Sequence, residues 1–268
     1  MDLLAAVVLG IVQGLTEFLP VSSSGHLILA RAFFGWDAGR FGLAFDVACH
    51  VGTFLAVVAY FYRDVLAMIA ALPGALTGRD GEAERWVRLV IVGTIPVVIV
   101  GVLFGDALQA LRAPAIVAVT LTIGAVGLLL AERLGAQNRS EDSVGYGEAL
   151  AIGIAQAAAL VPGISRSGST LTLAMLFGLR RPGAARFVFL LSLPAVLAAA
   201  AKEVLDLAEV GLAAIPVTLF AVGLMVSGIV GYLTIKYFLR YLANHSLAVF
   251  AYYRFALAAV TVLWLWTR

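Results

Sequence analysis

GIVQGLTEFLPVSSSGHL, residues 10–27, decides how this chain is read. An apolar approach gives way to a glutamate, a proline, three serines and a histidine, and a second apolar piece follows. Taken from 3 to 34 the stretch is hydrophobic but broken at its middle. Each half has about fifteen apolar residues, short of the roughly 20 that a spanning helix needs. The expected form is a re-entrant helix hairpin whose polar tip lies within the membrane, where irregular backbone is tolerated only against protein or a cavity. The same plan returns in GIAQAAALVPGISRSGSTL, residues 153–171, inside a second broken stretch at 147–179. At a shift of 143 positions Gly10, Gln13, Ser24 and Gly25 recur as Gly153, Gln156, Ser167 and Gly168, with Pro20 and Pro162 one residue out of step.

Composition places both stretches in lipid. Of 268 residues 62% are hydrophobic and 13% charged, against about 25% charged in soluble domains. The mean hydropathy is +1.02. A net charge of +2 without a basic run excludes a nucleic-acid partner. The lone Cys49 excludes an internal disulfide and a cysteine metal cluster, and reads as a small buried residue. The N-terminal apolar run has no basic region ahead of it and is read as part of the fold, not as a signal peptide.

Six further stretches are long and apolar enough to cross a membrane: 41–62, 86–105, 113–133, 183–203, 212–240 and 247–267. The shift of 143 lays 41–62 over 184–205. The expectation is therefore an all-α integral membrane protein built as two copies of one unit, residues 1–134 and 147–268, each a re-entrant hairpin followed by three spans. An odd number of spans inverts the second copy. Such repeats place a binding site at their interface, near the bilayer midplane. The tips at 20–25 and 162–168 are expected to meet there.

Loop charges then orient the chain. The side that holds both termini receives Arg31, Arg40, Arg112, Lys202 and Arg268. The opposite side receives twelve of the 18 Lys and Arg, with Arg254 counted among them. The richer side is read as cytoplasmic, so both termini face outward.

Chemistry concentrates at the tips. Gln13 and Glu17 share one face of the first half-helix. Pro20 ends that helix, and Ser22, Ser23 and Ser24 suit the N-terminus of the next, where free amides favour an anion. His26 follows within one turn, and Gly25 allows close approach. The serines can also be read as plain helix caps. A carboxylate in such a segment is a functional candidate by default. The second tip carries Gly163, Ser165, Arg166, Ser167 and Gly168. Its guanidinium fork matches two phosphate oxygens. An ion pair between Arg166 and Glu17 is the structural alternative. Asp46 and His50, four residues apart, are read as a pair lying behind the first tip. No HExxH, nucleophile elbow or Walker loop is present. The set suits phosphate chemistry: Arg166 and amides to hold the anion, Glu17 for a hard divalent cation such as Mg²⁺ or Ca²⁺, a serine or water to attack, and His26 to carry the proton.

The two tips, as GLTEFLPVSSSGHL (14–27) and ALVPGISRSGSTLT (159–172), resemble the paired signature of the undecaprenyl-diphosphate phosphatases, also called bacitracin-resistance proteins. The likeness extends through FDVACHVGTFLAV (45–57), FLLSLPAVLAA (189–199) and FAYYRFALA (250–258). It implies a metal-dependent hydrolase of the bacterial plasma membrane, with its site toward the outer face. Its substrate would be a C55 polyprenyl diphosphate, cut to the monophosphate for reuse in cell-wall synthesis. The family's acidic motif falls on Gln13 and Glu17, its serine-histidine motif on Ser22, Ser23, Ser24 and His26, and its arginine motif on Ser165 and Arg166. Gln13 stands where relatives often carry Glu, which puts the metal-binding weight on Glu17. Ser24 stands where many have Thr, and AARFVF (184–189) replaces an acidic stretch. Ser23 is the expected nucleophile, reached by His26 on the same helix face, and Ser22 the expected cap. A lipid-phosphate flippase is the competing reading of the same architecture, an ion channel a weaker one, and a homodimer is left open.

Overall fold

The computed structural model describes residues 2–37, 41–210 and 217–267, without the side chains of 106, 203, 204 and 206–210. Arg40, Arg268 and the start of the span expected at 212–240 lie outside the described residues. A segment in lipid must satisfy its own backbone, and the described chain is helical accordingly. In chain order the helices are α1 (Asp2–Thr16), α2 (Ser23–Phe34), α3 (Leu43–Tyr60), α4 (Tyr62–Leu76), α5 (Glu82–Gln109), α6 (Pro114–Leu134), α7 (Tyr146–Ala158), α8 (Arg166–Leu176), α9 (Arg181–Val210), α10 (Val217–Leu242) and α11 (Ala248–Trp266). Six of them, α3, α5, α6, α9, α10 and α11, are long and apolar enough to cross a membrane, and they fall on the six expected spans. The two broken stretches become the short helix pairs α1–α2 and α7–α8.

The surface is apolar and the centre polar. Leu103, Ile229 and Leu263 are each more than 60% exposed, whereas Arg254 is among the fully buried side chains. That distribution suits lipid, which gains nothing from hiding leucine and penalises an exposed charge. Cys49 is buried, as its composition context suggested.

Helices approach through small residues, as close packing in lipid requires. A side chain at Gly153 on α7 would strike the backbone of Gly93 on α5. One at Gly52 on α3 would strike Leu224 O and Ser227 Oγ on α10. Helix α1 packs on α10, and α7 on α5. The first helix of each short pair therefore leans on a span distant in the sequence.

Charges gather at the two ends of the bundle. At one end Asp46 takes Arg31 in a bidentate pair at 2.6 and 3.0 Å and also binds Arg112. At the other, Arg181 binds Glu132, whose Oε1 also accepts Leu247 N at 2.6 Å. In the linker Arg139 binds Glu148 at 2.6 Å and the Phe177 carbonyl at 2.7 Å, tying the linker to the exit of α8. That bond to Arg139 holds the Glu148 carboxyl below the usual carboxylate range.

Two features were not anticipated. Helix α4 continues the chain beyond α3 after Phe61, packing Met68, Ala71 and Ala75 on Ala83 and Val87. At 15 residues it is too short to stand out as a span. Arg186, within the departing AARFVF stretch, bonds Asp64 at 2.6 Å and Glu141 at 3.1 Å and lies over the Trp86 ring. There it joins the start of α4, the linker and α9.

Candidate active site

Each tip is a short loop that hands one helix to the next. Ser22 caps α2, accepting from Gly25 N at 3.3 Å; Ser165 caps α8 in the same manner, accepting from Gly168 N at 3.1 Å. Both serines sit at φ 76, in the left-handed region that L residues rarely enter. In each tip the capping hydroxyl lies near the serine two residues on, Ser24 at 3.4 Å and Ser167 at 3.3 Å. The two tips thus share their local conformation.

The tips touch. Ser167 Oγ donates to Leu19 O at 3.0 Å. A Cβ on Gly25 would lie 3.4 Å from Gly163 Cα, and Gly163, at φ 93, has no room for one beside Thr120. Position 163 admits only glycine, whereas at 25 a Cβ would press on Val117 Cγ1 at 3.1 Å.

Glu17 is the hub where they meet. Its Oε2 accepts from Ser23 Oγ at 2.7 Å and from Gln13 Nε2 at 2.9 Å, and His50 Nε2 lies 3.4 Å away. Its Oε1 binds Arg166 from the other tip. The ion pair posed as a structural alternative is therefore present. It occupies one nitrogen of a guanidinium whose side chain remains 24% exposed. Gln13 Oε1 is buried with no hydrogen-bond partner, an open acceptor beside the carboxylate.

Two expectations change. His26 does not bond Ser23. Its Nδ1 turns back to the Ser22 carbonyl at 2.7 Å, an oxygen that also accepts the His26 backbone N–H at 3.1 Å. Its Nε2 meets Tyr253 Oη at 2.7 Å. The hydroxyl of Ser23 goes to Glu17 instead. Asp46 is not behind the tip: Arg31 and Arg112 claim its carboxylate, and His50 bonds only its backbone carbonyl, at 2.7 Å. His50 alone of that pair faces the site.

Arg254 was counted as a loop charge and is instead 0% exposed. It donates to five backbone carbonyls: Pro20 at 3.2 Å, Thr120 at 3.1 Å, Leu121 at 3.1 Å, Gly163 at 3.0 Å and Ile164 at 2.9 Å. One guanidinium thus binds both tips to α6. Only the rarity of Arg inside an apolar run signalled it. An ammonium has three donors, too few for five acceptors. Arg254→Lys is expected to lower stability by about 3 kcal/mol, the scale for breaking a buried polar network. Thermal unfolding in detergent reads it, and an unchanged melting temperature would show that the carbonyls need no such donor.

The structure is that of a polytopic helical membrane protein with a carboxylate, a hydroxyl and a guanidinium gathered between two helix N-termini. The model of the family described as bacitracin resistance protein BacA matches residues 6–260, and the chain belongs to that family. Among its relatives, a protein of Rubrobacter xylanophilus named undecaprenyl-diphosphatase is 50% identical over 264 residues, 97% of each chain. One of Moorella thermoacetica with the same name is 44% identical across the whole of both chains. An undecaprenyl-diphosphatase 2 of Stutzerimonas stutzeri is 47% identical over 97% of each.

Proposed function

We infer that this protein is an undecaprenyl-diphosphatase, hydrolysing undecaprenyl diphosphate to undecaprenyl phosphate and inorganic phosphate. The observation that carries the reading is the Glu17 carboxylate set against the Ser23 hydroxyl at 2.7 Å and against Arg166 across the join of the tips. A flippase has use for cations at a headgroup, but none for a base beside a nucleophile.

Ser23 is the nucleophile. As its oxygen attacks the terminal phosphorus, its proton passes to Glu17, the bridging P–O bond breaks, and the lipid monophosphate departs. Water then attacks the phosphoserine, inorganic phosphate leaves, and the hydroxyl is restored. Arg166 and the amides at the starts of α2 and α8 hold phosphate oxygens, with Ser24, Ser165 and Ser167 lining the join. When substrate arrives, a phosphate replaces part of the Glu17 contact to Arg166. His26 carries the proton of the hydrolytic step.

A divalent cation fits this donor set in a limited way. Among the described residues no group of three or more His, Cys, Asp or Glu could hold a metal. Glu17 and the open Gln13 Oε1 provide two oxygens, with substrate oxygens completing the shell that Mg²⁺ or Ca²⁺ prefers. Bound there, the ion would offset the charge of the diphosphate.

The membrane is the bacterial plasma membrane, with the site open toward its outer face. The uneven loop charges support that orientation. The halves 1–134 and 147–268 are inverted repeats with re-entrant hairpins, a reading supported by the twin serine caps and by the exchanged packing of α1 on α10 and α7 on α5. The test is phosphate release from C55 diphosphate by the purified protein. Turnover that chelator suppresses and Mg²⁺ or Ca²⁺ restores is expected. No release would overturn the phosphatase reading, and release indifferent to chelator would overturn the metal alone.

A further inference from the structure

His26 is held at both ends of its ring. Nδ1 lies 2.7 Å from the Ser22 carbonyl, which can only accept, so Nδ1 carries the hydrogen. In the neutral imidazole Nε2 is then the basic nitrogen. It does not face Ser23 or Glu17; it faces the hydroxyl of Tyr253 at 2.7 Å, which donates to it. The two rings are nearly parallel, at 8° with centroids 5.6 Å apart. Tyr253 reaches this place from α11, 227 residues further along the chain. Its neighbour Arg254 anchors that turn of α11 to both tips through the Pro20, Gly163 and Ile164 carbonyls. The tyrosine is therefore carried on a segment tied to the site. It is 46% exposed, so its hydroxyl stands between His26 and the outside of the bundle.

We propose that Tyr253 is a positioning residue for the proton carrier: with the Ser22 carbonyl it clamps both nitrogens of His26, so that Nε2 is presented in one orientation as the nitrogen that takes the proton. This rests on the reading of His26 as proton carrier. A carrier must offer the same nitrogen at each turnover. The carbonyl settles which nitrogen bears the hydrogen, while the hydroxyl stops the ring from swinging and keeps Nε2 an acceptor until the water of the hydrolytic step takes its place there. Nothing in Tyr253 touches Glu17, Ser23 or Arg166, so it acts through His26 alone.

The variant that isolates the hydroxyl is Tyr253→Phe, which keeps the ring and its stacking. Its kcat for phosphate release is expected to fall about tenfold with KM unchanged, below the 10²–10⁴-fold worth of the whole acid–base group. The chain has three histidines, so ¹⁵N-histidine spectra of the detergent-solubilised protein resolve each ring. The His26 Nε2 resonance should lose its hydrogen-bonded position while Nδ1 stays protonated. In a His26→Ala background, Tyr253→Phe should cost nothing further. An unchanged kcat, an unchanged Nε2 resonance, or an equal loss of rate in the His26→Ala background would each overturn the proposal; the last would mean a purely structural tyrosine. If His26→Ala itself keeps full rate, it is the role of His26 that fails, and the spectra still report separately on the clamp.

Discussion

Glu17→Gln is expected to leave less than about one hundredth of the wild-type rate, the lower bound for losing a positioned acid–base group. The amide has nearly the same shape, so packing among Gln13, Ser23 and His50 survives. What it lacks is an oxygen able to take the Ser23 proton and a charge to balance Arg166. In the native site one carboxylate does both, with Oε2 toward Ser23 and Gln13 and Oε1 toward Arg166. An uncompensated guanidinium binds anions more tightly, so KM should fall or hold while kcat collapses. The measurement is steady-state phosphate release, with thermal unfolding as a check on folding. A variant that folds and turns over at near-normal rate would remove Glu17 from the chemistry.

Ser23→Ala is expected to lose as much or more, because it removes the attacking atom. Glu17 and Arg166 remain paired in this variant, so binding should be nearly untouched. Brief mixing of the wild-type protein with labelled C55 diphosphate should place the terminal phosphate on Ser23, and the alanine variant should take up none. If Ser23→Ala keeps most activity while Glu17→Gln abolishes it, water activated at Glu17 is the attacker and the covalent route is wrong. The hydrolase reading would stand in either case.

Much of this was legible in the letters. The six spans could be placed to within a few residues because lipid leaves a long apolar run one way to satisfy its backbone. The break in each short pair was marked by proline and serine, residues that end one helix and cap the next. The repeat from Gly10 to Gly153 led to tips that meet, and Glu17 and Arg166, a carboxylate and a cation in apolar surroundings, pointed to each other across 149 positions. Helix α4 escaped because, at 15 residues, its length and hydropathy fit neither a span nor a plain loop.

Tertiary structure alone decided which side chain met which. Ser23 and His26 share a face of α2, yet one hydroxyl turns to Glu17 and the ring turns to the Ser22 carbonyl. Spacing fixes a face, while the acceptor within reach selects the bond. Asp46 and His50 were equally well spaced and separated, because Arg31 and Arg112 compete for the carboxylate. Tyr253 and Arg254 carry no motif that relates them to residues 20 to 26. They reach the site because α11 packs beside α6 and lays its inner face along both tips. Hydropathy and local capping are properties of a segment and can be read from it. The partner of a buried hydroxyl, imidazole or guanidinium is set by whichever distant segment packing brings within about 3 Å.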